Sequence, residues 1–303
     1  MKAAGFHAFG GPEVLELIEV PAPEAGAGEV RVRVKAAGAQ PTDCAVRSGW
    51  NPPGFTITFP HITGGDFAGV VDQVGEGVTG FSVGDEVLGY RTQLTYAEYV
   101  TVPADQIVAK PAGLSWEVAG SLSASGQTAH TAIELLKVSE GETVLINGAS
   151  GGVGTIAVQL AVARGAKVVA TGREENHAYL RELGAVPVAY GEGLIDRVRA
   201  AAPEGVDAAL DTASADGLRV AAELVEDKQR VGTIFAYEVY EELGVRWIGS
   251  QRSAQRLAEL ASLVDSGALR VHVRKTFPLA EAAEAHRELE TGHGRGKIVL
   301  LTD

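Results

Sequence analysis

The sequence predicts an α/β protein of two parts, an antiparallel β-barrel or twisted sheet and a doubly wound parallel sheet. Three observations predict it. Residues 1 to about 118 run in short alternating stretches cut by Gly, Pro and Asp, among them "EVRVRVKAAG", "FAGVVDQVGEGVTGFSVGDEV" and "AEYVTVPADQIV". Later in the chain, short apolar runs alternate with segments of helical period. Between the two, at "GLSWEVAGSLSASGQTAHTAIELLKV", the period turns helical, with Ser115 placed as an N-cap and Glu117 in the first turn.

The elements of the second part follow in order. "TVLIN" is followed by "GTIAVQLAVARG", "KVVAT" by "EENHAYLRELG", "VPVA" by "LIDRVRAAA" and "DAALD" by "GLRVAAELV"; "RVGTIF" and "VRWIG" come last. Apolar strands separated by helices imply a parallel sheet covered on both faces, a Rossmann-like domain over residues 119–252. After it remain a helix, "SAQRLAELASLVDSG", and a strand, "GKIVLLT". These are too little for a third core, so residues 253–303 are expected to return to the domain formed by residues 1–118.

Bulk properties narrow the function classes. The 303 residues are 46% hydrophobic, enough for two cores. No apolar run spans a membrane and the N-terminal stretch lacks the pattern of a signal peptide, so a cytoplasmic location is the expectation. Cys44 is the single cysteine, which excludes an internal disulfide and a cysteine-clustered zinc site; it is expected to be a small buried apolar residue. A net charge of −13 with no basic stripe argues against nucleic acid and anionic membranes as partners.

The segment "INGASGGVG" carries the chemistry. It follows a strand and opens a helix, the context that a dinucleotide fingerprint requires, although Ala149 replaces the first glycine. Gly151 would let the backbone approach a pyrophosphate, with Ser150, Gly152 and Val153 beside it, and Gly154 would let helix pack on strand. A plain glycine-rich turn is the alternative. An acid that holds the ribose 2′-hydroxyl of NAD is expected about 20 residues further on. That place holds Thr171 and Gly172 with Arg173 next, leaving room for a 2′-phosphate and a guanidinium to pair with it. NADPH is therefore the expected cofactor, with Arg173 as mere surface charge the competing view.

With the fingerprint placed, the chain resembles the medium-chain dehydrogenase/reductase superfamily, and within it the zinc-independent NADPH:quinone oxidoreductases of zeta-crystallin type. The matching stretches are "GGPEVLELIEVPAPEAGAGEVRVRVKAAGAQPTD", "GGDFAGVVDQVGEGVTGFSVGDEVLG", "YAEYV", "INGASGGVG" and "GHGRGKIVL". The resemblance implies a GroES-like catalytic domain beside the Rossmann domain, the cofactor in the cleft between them, and a homodimer paired through the strand near "VRWIGS". It also exposes departures. Where zinc-dependent members carry a cysteine ligand before "TD" this chain has Gln40, and in place of Gly-His-Glu it has Gly64, Gly65 and Asp66. No metal site is expected, and without a Lewis acid alcohol oxidation is disfavoured.

Hydride transfer to quinones or to the activated double bonds of enones and enals remains, because the acceptor is already electrophilic. By the resemblance Gln40 would contact the nicotinamide or the substrate carbonyl; otherwise it caps the turn "AQPTD". Thr128 matches a threonine that faces the nicotinamide, unless it bonds back to its own helix turn. Tyr190 matches a tyrosine near the 2′-phosphate, or packs beside the third strand. Phe235 and Ala236 lie where a strand ends, at the edge where such sheets bind ligands. Trp50 occupies the place of a tyrosine common in the family and cannot donate a proton in the same way. Lys297 reaches the cleft or is solvated, Asp43 holds the "PTD" turn, and Tyr90 and Tyr96 line the cleft or fill the barrel. A small-molecule quinone or enone reductase is the expected function. A zinc-free alcohol or carbonyl dehydrogenase and a non-catalytic NADPH-binding redox sensor are the alternatives.

Overall fold

The computed structural model describes residues 1–52, 54–292 and 294–302; His293, within the quoted "GHGRGKIVL", lies outside them. The chain divides into two compact units. One comprises Met1–Ala124, Arg252–Ala268 and His272–Asp303, the other Ser125–Gln251 and Leu269–Val271.

The first unit grows from the alternating runs. It opens with β1 (Lys2–Phe6), β2 (Glu16–Glu19), β3 (Glu29–Ala39), α1 (Pro41–Arg47), β4 (His61–Ile62), β5 (Asp66–Val74), β6 (Glu86–Tyr90), β7 (Tyr99–Pro103) and β8 (Ile107–Ala109). Strand β3 shows why these residues make a sheet: Val30, Val32 and Val34 are buried, while Arg31, Arg33 and Lys35 alternate on the less buried face. Arg31 on that face makes a two-pronged pair with Asp72, at 2.9 and 3.0 Å. The eleven residues of β3 are long enough to pair antiparallel with both β5 and β7.

Helix α2 (Trp116–Leu135) starts in the first unit and ends in the second, and Ser115 Oγ accepts the Val118 N–H at 3.4 Å at its start. The second unit then alternates β9 (Thr143–Asn147), α3 (Gly152–Ala163), β10 (Lys167–Thr171), α4 (His177–Glu182), β11 (Val186–Val188), α5 (Leu194–Ala201), β12 (Ala208–Asp211), α6 (Ala215–Leu224), β13 (Val231–Thr233) and β14 (Arg246–Trp247). All six strands are parallel, in the order β11-β10-β9-β12-β13-β14. The order turns back on itself at β9 and β12, which is the doubly wound topology. Strand β9 is buried along its whole length, as a central strand covered on both faces must be.

The remaining chain forms α7 (Ala254–Asp265), β15 (Val273–Pro278), α8 (Ala282–Glu290) and β16 (Lys297–Leu301). Strand β16 enters the sheet of the first unit between β15 and β3, giving the order β15-β16-β3-β5-β6-β8 with β7 also on β3. Beyond the one helix and one strand that the sequence suggests, β15 and α8 are additional. The reason is legible: β15 is an edge strand in which only Phe277 is buried, so it has no apolar run to announce it. Helix α8 buries Ala282, Ala285 and His286, too few and too small to set a clear period. Among the described residues no helix is long and apolar enough to cross a membrane.

Candidate functional site

In a parallel sheet all strands end at one edge, so the loops that follow them converge. In the second unit Ser150, Gly151, Gly152 and Val153 follow β9, Gly172 and Arg173 follow β10, Tyr190 follows β11, and Phe235 and Ala236 follow β13. Hydrogen bonds tie these loops together: Ala149 N–H donates to Thr171 O at 3.1 Å, Gly172 N–H to Val188 O at 3.1 Å, and the Asn176 side chain, through Nδ2, to Ser150 Oγ at 3.4 Å.

The glycines divide their work. Gly148 turns the chain with φ of +71°. Gly151 is the N-cap of α3 and has no side chain to offer, so the first-turn N–H groups of Gly152, Val153 and Gly154 have no side-chain cap. Such a bare helix start fits a pyrophosphate through backbone N–H groups and the positive end of the helix dipole. A Cβ on Gly151 would approach only Gly148 O, at 3.3 Å, whereas one on Gly154 would sit 2.3 Å from Gly148 O and 2.7 Å from Ala149 Cα. Gly154 is thus a packing glycine, and Gly151 keeps the approach from outside open.

The place of a ribose-binding acid is filled by Thr171, whose Oγ1 accepts the Gly148 N–H at 3.1 Å and so braces the glycine turn. Next to it, Arg173 Nε donates to Tyr190 Oη at 3.0 Å. Tyr190 is 54% exposed, so it is not packed beside the third strand; it stands out with the guanidinium. Together they present cationic and hydroxyl donors suited to a phosphate. Asp211, at the end of β12, accepts from Thr233 Oγ1 at 2.8 Å, and Thr233 Oγ1 in turn accepts the N–H groups of Phe235 and Ala236, both at 3.0 Å. Burial pushes the Asp211 carboxyl above its ordinary range, opposed by the bonds it accepts from Thr233, Ser214 and Ala213. This buried relay fixes the loop that leaves Phe235 exposed and Ala236 buried. Thr128 is half-buried within α2.

The first unit holds a second polar centre, created by strand register. Ile298 pairs with Ala39, which sets Lys297 opposite Gln40, the residue just past β3, and on the other side Ala68 pairs with Ala36, which sets Asp66 opposite Gly38. Lys297 Nζ donates to Gln40 Oε1, and Gln40 Nε2 donates to Asp66 Oδ2 at 2.9 Å. The ammonium only donates and the carboxylate only accepts, so the amide orientation of Gln40 is fixed from both sides. Asp66 also accepts the Ala124 N–H at 2.8 and 2.9 Å on its two oxygens. Burial pulls Lys297 down from 10.5 to about 8 and pushes Asp66 up, with their mutual attraction opposing both changes.

Asp43 does hold the turn, accepting the Gln40 N–H at 2.9 Å, yet it also ends a buried row. Tyr96 Oη donates to Asp43 Oδ2 at 2.8 Å, His286 Nε2 lies 3.4 Å from Tyr96 Oη, and Arg47 Nη1 lies 3.3 Å from His286 Nδ1. Because a guanidinium cannot accept, His286 Nδ1 is the acceptor and Nε2 carries the hydrogen. Every donor therefore points toward Asp43. Arg47 also pairs with Glu290. Burial raises Asp43 to about 6, with the bond from Tyr96 opposing it, and lowers His286 to about 3, with Arg47 adding to the effect.

Several expectations need correction. Lys297 is not solvated: it is 3% exposed. Gln40 does cap the turn, but its amide donors go to Asp66 and, more weakly, to Gly38 O at 3.5 Å, not outward. Tyr96 fills the barrel, while Tyr90 is half-buried with the Arg252 guanidinium 5.8 Å from its ring centroid. Trp50 is 46% exposed, and Cys44 is buried, its thiol pushed up to about 12 by burial. Gly64 takes φ of +98°, and a Cβ there would stand 2.3 Å from the Tyr96 ring. Among the described residues no three His, Cys, Asp or Glu side chains are grouped as a metal would require. The sequence reading missed Arg47, His286, Asp211 and the partnership of Asp66; only the "DAALD" strand end carried a usable signal, since an acid closing a Rossmann strand lies at the ligand edge.

Two family profiles match the chain, one described as "Zinc-binding dehydrogenase" over residues 165–300 and one as "Alcohol dehydrogenase GroES-like domain" over residues 26–112. A quinone oxidoreductase of Pseudomonas aeruginosa is 32% identical, covering 99% of each chain. Among solved structures, one called an NAD-dependent alcohol dehydrogenase is 33% identical with a TM-score of 0.90 over all of both chains. The Escherichia coli quinone oxidoreductase complexed with NADPH is 26% identical with a TM-score of 0.86, again over all of both chains.

Proposed function

From a chain that belongs to the quinone oxidoreductase family of the medium-chain dehydrogenase/reductases, we propose an NADPH-dependent reductase of quinones or of enones and enals that works without zinc. The observation that carries the reading is the carboxyl edge of the parallel sheet: a helix N-terminus capped by the bare Gly151, with the exposed Arg173–Tyr190 pair and no acid at Thr171. NADPH bound there supplies a hydride, the chemistry of the cofactor. The residues of this chain bind and orient it: the first-turn N–H groups take the pyrophosphate, Arg173 and Tyr190 the 2′-phosphate, and the loop held by Asp211 and Thr233 carries Phe235 beside it. In the first unit, the place of a cysteine ligand holds an amide locked between an ammonium and a carboxylate.

The direct test mixes the protein with NADPH and a panel of quinones, enals and enones while cofactor absorbance is followed. Turnover with at least one class is expected; none across the panel ends the reading. The relative named an alcohol dehydrogenase motivates a second reading, oxidation of an alcohol. It predicts stoichiometric zinc by elemental analysis and inhibition by chelators. A homodimer belongs to the proposal too, paired through the edge strand β14, where the Tyr237, Tyr240 and Trp247 rings cluster with centroids 5.3 to 5.9 Å apart. Light scattering at the mass of one chain would remove it.

A further inference from the structure

We propose that Arg197 is a positioning residue that holds Tyr190 beside Arg173 and thereby sets a preference for NADPH over NADH. This rests on the reading above in which Arg173 and Tyr190 take the 2′-phosphate. Every residue involved belongs to the second unit.

The two partners are anchored differently. Arg173 follows β10, and its stretch of chain is tied down on both sides: Gly172 N–H donates to Val188 O at 3.1 Å, and Asn176 N–H donates to Arg173 O at 2.9 Å. Tyr190 lies beyond the sheet. Strand β11 ends at Val188, and residues 189–193 lead to α5 with Gly191 at φ of +90° and Gly193 at φ of +74°. Two such glycines make a loop that is costly to order by its own chain preferences. Packing adds little, since the Tyr190 side chain stands out from the surface.

Arg197 supplies the missing support. From near the start of α5 its guanidinium turns back on the loop: Nε donates to Ala189 O at 2.9 Å, and Nη2 donates to Tyr190 O and to Gly191 O, both at 3.3 Å. Three consecutive carbonyls are thus gripped by one rigid planar group. Gly191 O also accepts the Leu194 N–H at 3.0 Å, whereas Ala189 O and Tyr190 O take their bonds from Arg197. A cation this close to a helix N-terminus is opposed by the helix dipole, and the bonds to the loop offset that.

The grip fixes the backbone at Tyr190, and with it the direction in which the side chain leaves. Tyr190 Oη then accepts the Arg173 Nε hydrogen at 3.0 Å. Because that bond uses the oxygen as an acceptor, the phenol hydrogen is left to donate. A phosphate paired with the Arg173 guanidinium takes that hydrogen in a charge-assisted bond. NADH, which has no 2′-phosphate, gains nothing from it.

Calorimetry on the full chain with NADPH and with NADH tests this. Arg197→Met is expected to weaken NADPH by roughly tenfold, the loss of one charge-assisted hydrogen bond, and NADH by less than about twofold. Tyr190→Phe is expected to do the same. The double variant is expected to bind NADPH no more weakly than Tyr190→Phe alone, because Arg197 acts through that hydroxyl. Arg197→Lys keeps the charge without the planar fork and is expected to lose at least about threefold of the preference, and it carries the test should Arg197→Met not fold. Wild-type NADPH affinity in Arg197→Met, equal losses for the two cofactors, losses that multiply in the double variant, or an unchanged preference in Arg197→Lys each overturn the proposal. The phosphate reading survives any of these if Arg173→Glu or Tyr190→Phe weakens NADPH selectively. If neither does, both fall.

Discussion

At the scale of single residues, the cofactor preference turns on Arg173 and its bond to Tyr190. Thr171, not an acid, ends β10, and its hydroxyl accepts from the glycine turn. Arg173→Glu replaces a donor by a charge of the same sign as the 2′-phosphate. Charge-assisted bonds contribute about 1.5–3 kcal/mol, so NADPH affinity is expected to fall by roughly 10- to 100-fold. NADH, lacking that phosphate, is expected to change little, and calorimetry with both cofactors measures the difference. Equal losses would reduce Arg173 to surface charge. Residue types alone suggested Arg173, since "GREEN" follows a strand end, and the family resemblance suggested Tyr190. That Arg173 meets Tyr190, seventeen residues on, became visible only once β10 and β11 lay side by side.

At the scale of elements, the unit of function is the strand, turn and helix of β9, the glycine loop and α3. Its glycines look alike in sequence and differ in packing. Gly154 lies where a Cβ meets backbone at 2.3 Å, and no flexible side chain is there to give way. Gly154→Ala is therefore expected to cost about 1–3 kcal/mol through the displaced helix start, seen as a lowered Tm. Gly151→Val is expected to fold with nearly wild-type Tm, because its Cβ direction meets only one atom, at 3.3 Å. It is nonetheless expected to lose NADPH binding by calorimetry, since the branched side chain fills the approach to the first-turn N–H groups. Retained affinity in Gly151→Val would mean the loop is only a turn. Elements with an apolar period were legible from the sequence for this reason: their pattern reports the face they bury. Strand β15 and helix α8 were not, because an exposed edge strand and a helix that buries alanines leave no such pattern.

At the scale of the whole molecule, groups held away from their ordinary range by pairing or by burial make stability depend on pH. Glu142 pairs with Arg230, whose Nε and Nη2 also cap the Leu136 and Lys137 carbonyls at the end of α2. That bond lowers Glu142 from 4.5 to about 2. A carboxyl lowered on folding contributes stability that is present above pH 4.5 and lost as pH falls toward 2. His286, lowered from 6.5 to about 3, acts in the same direction between those values. Asp43, raised from 3.8 to about 6, acts oppositely, its contribution present below 3.8 and lost as pH rises through 6. For the test we choose Glu142→Gln. At neutral pH it is expected to be less stable than wild type by about 1 kcal/mol, since the pair is only partly screened from water. Denaturation midpoints of the two proteins are expected to converge as pH drops from 4.5 toward 2, and a constant gap would separate the pair from the acid sensitivity of the fold.

The sequence by itself determined the two kinds of sheet, the glycine loop at the start of α3, the absence of an acid after β10, and the loss of the cysteine and histidine of the zinc-dependent relatives. Each is local: a period, a turn residue or a residue type at a motif position. Tertiary structure alone decided what Gln40 does. Lys297 stands 257 positions away, and it reaches Gln40 because β16 pairs with β3 in the register that sets Ile298 against Ala39. A shift of one residue would turn the lysine to the opposite face. Burial then lowers the Lys297 ammonium from 10.5 to about 8, with the charges of Asp66 and Asp43 opposing the change. No sequence window contains that environment, because the low dielectric and the opposing charges are supplied by strands and helices distant along the chain.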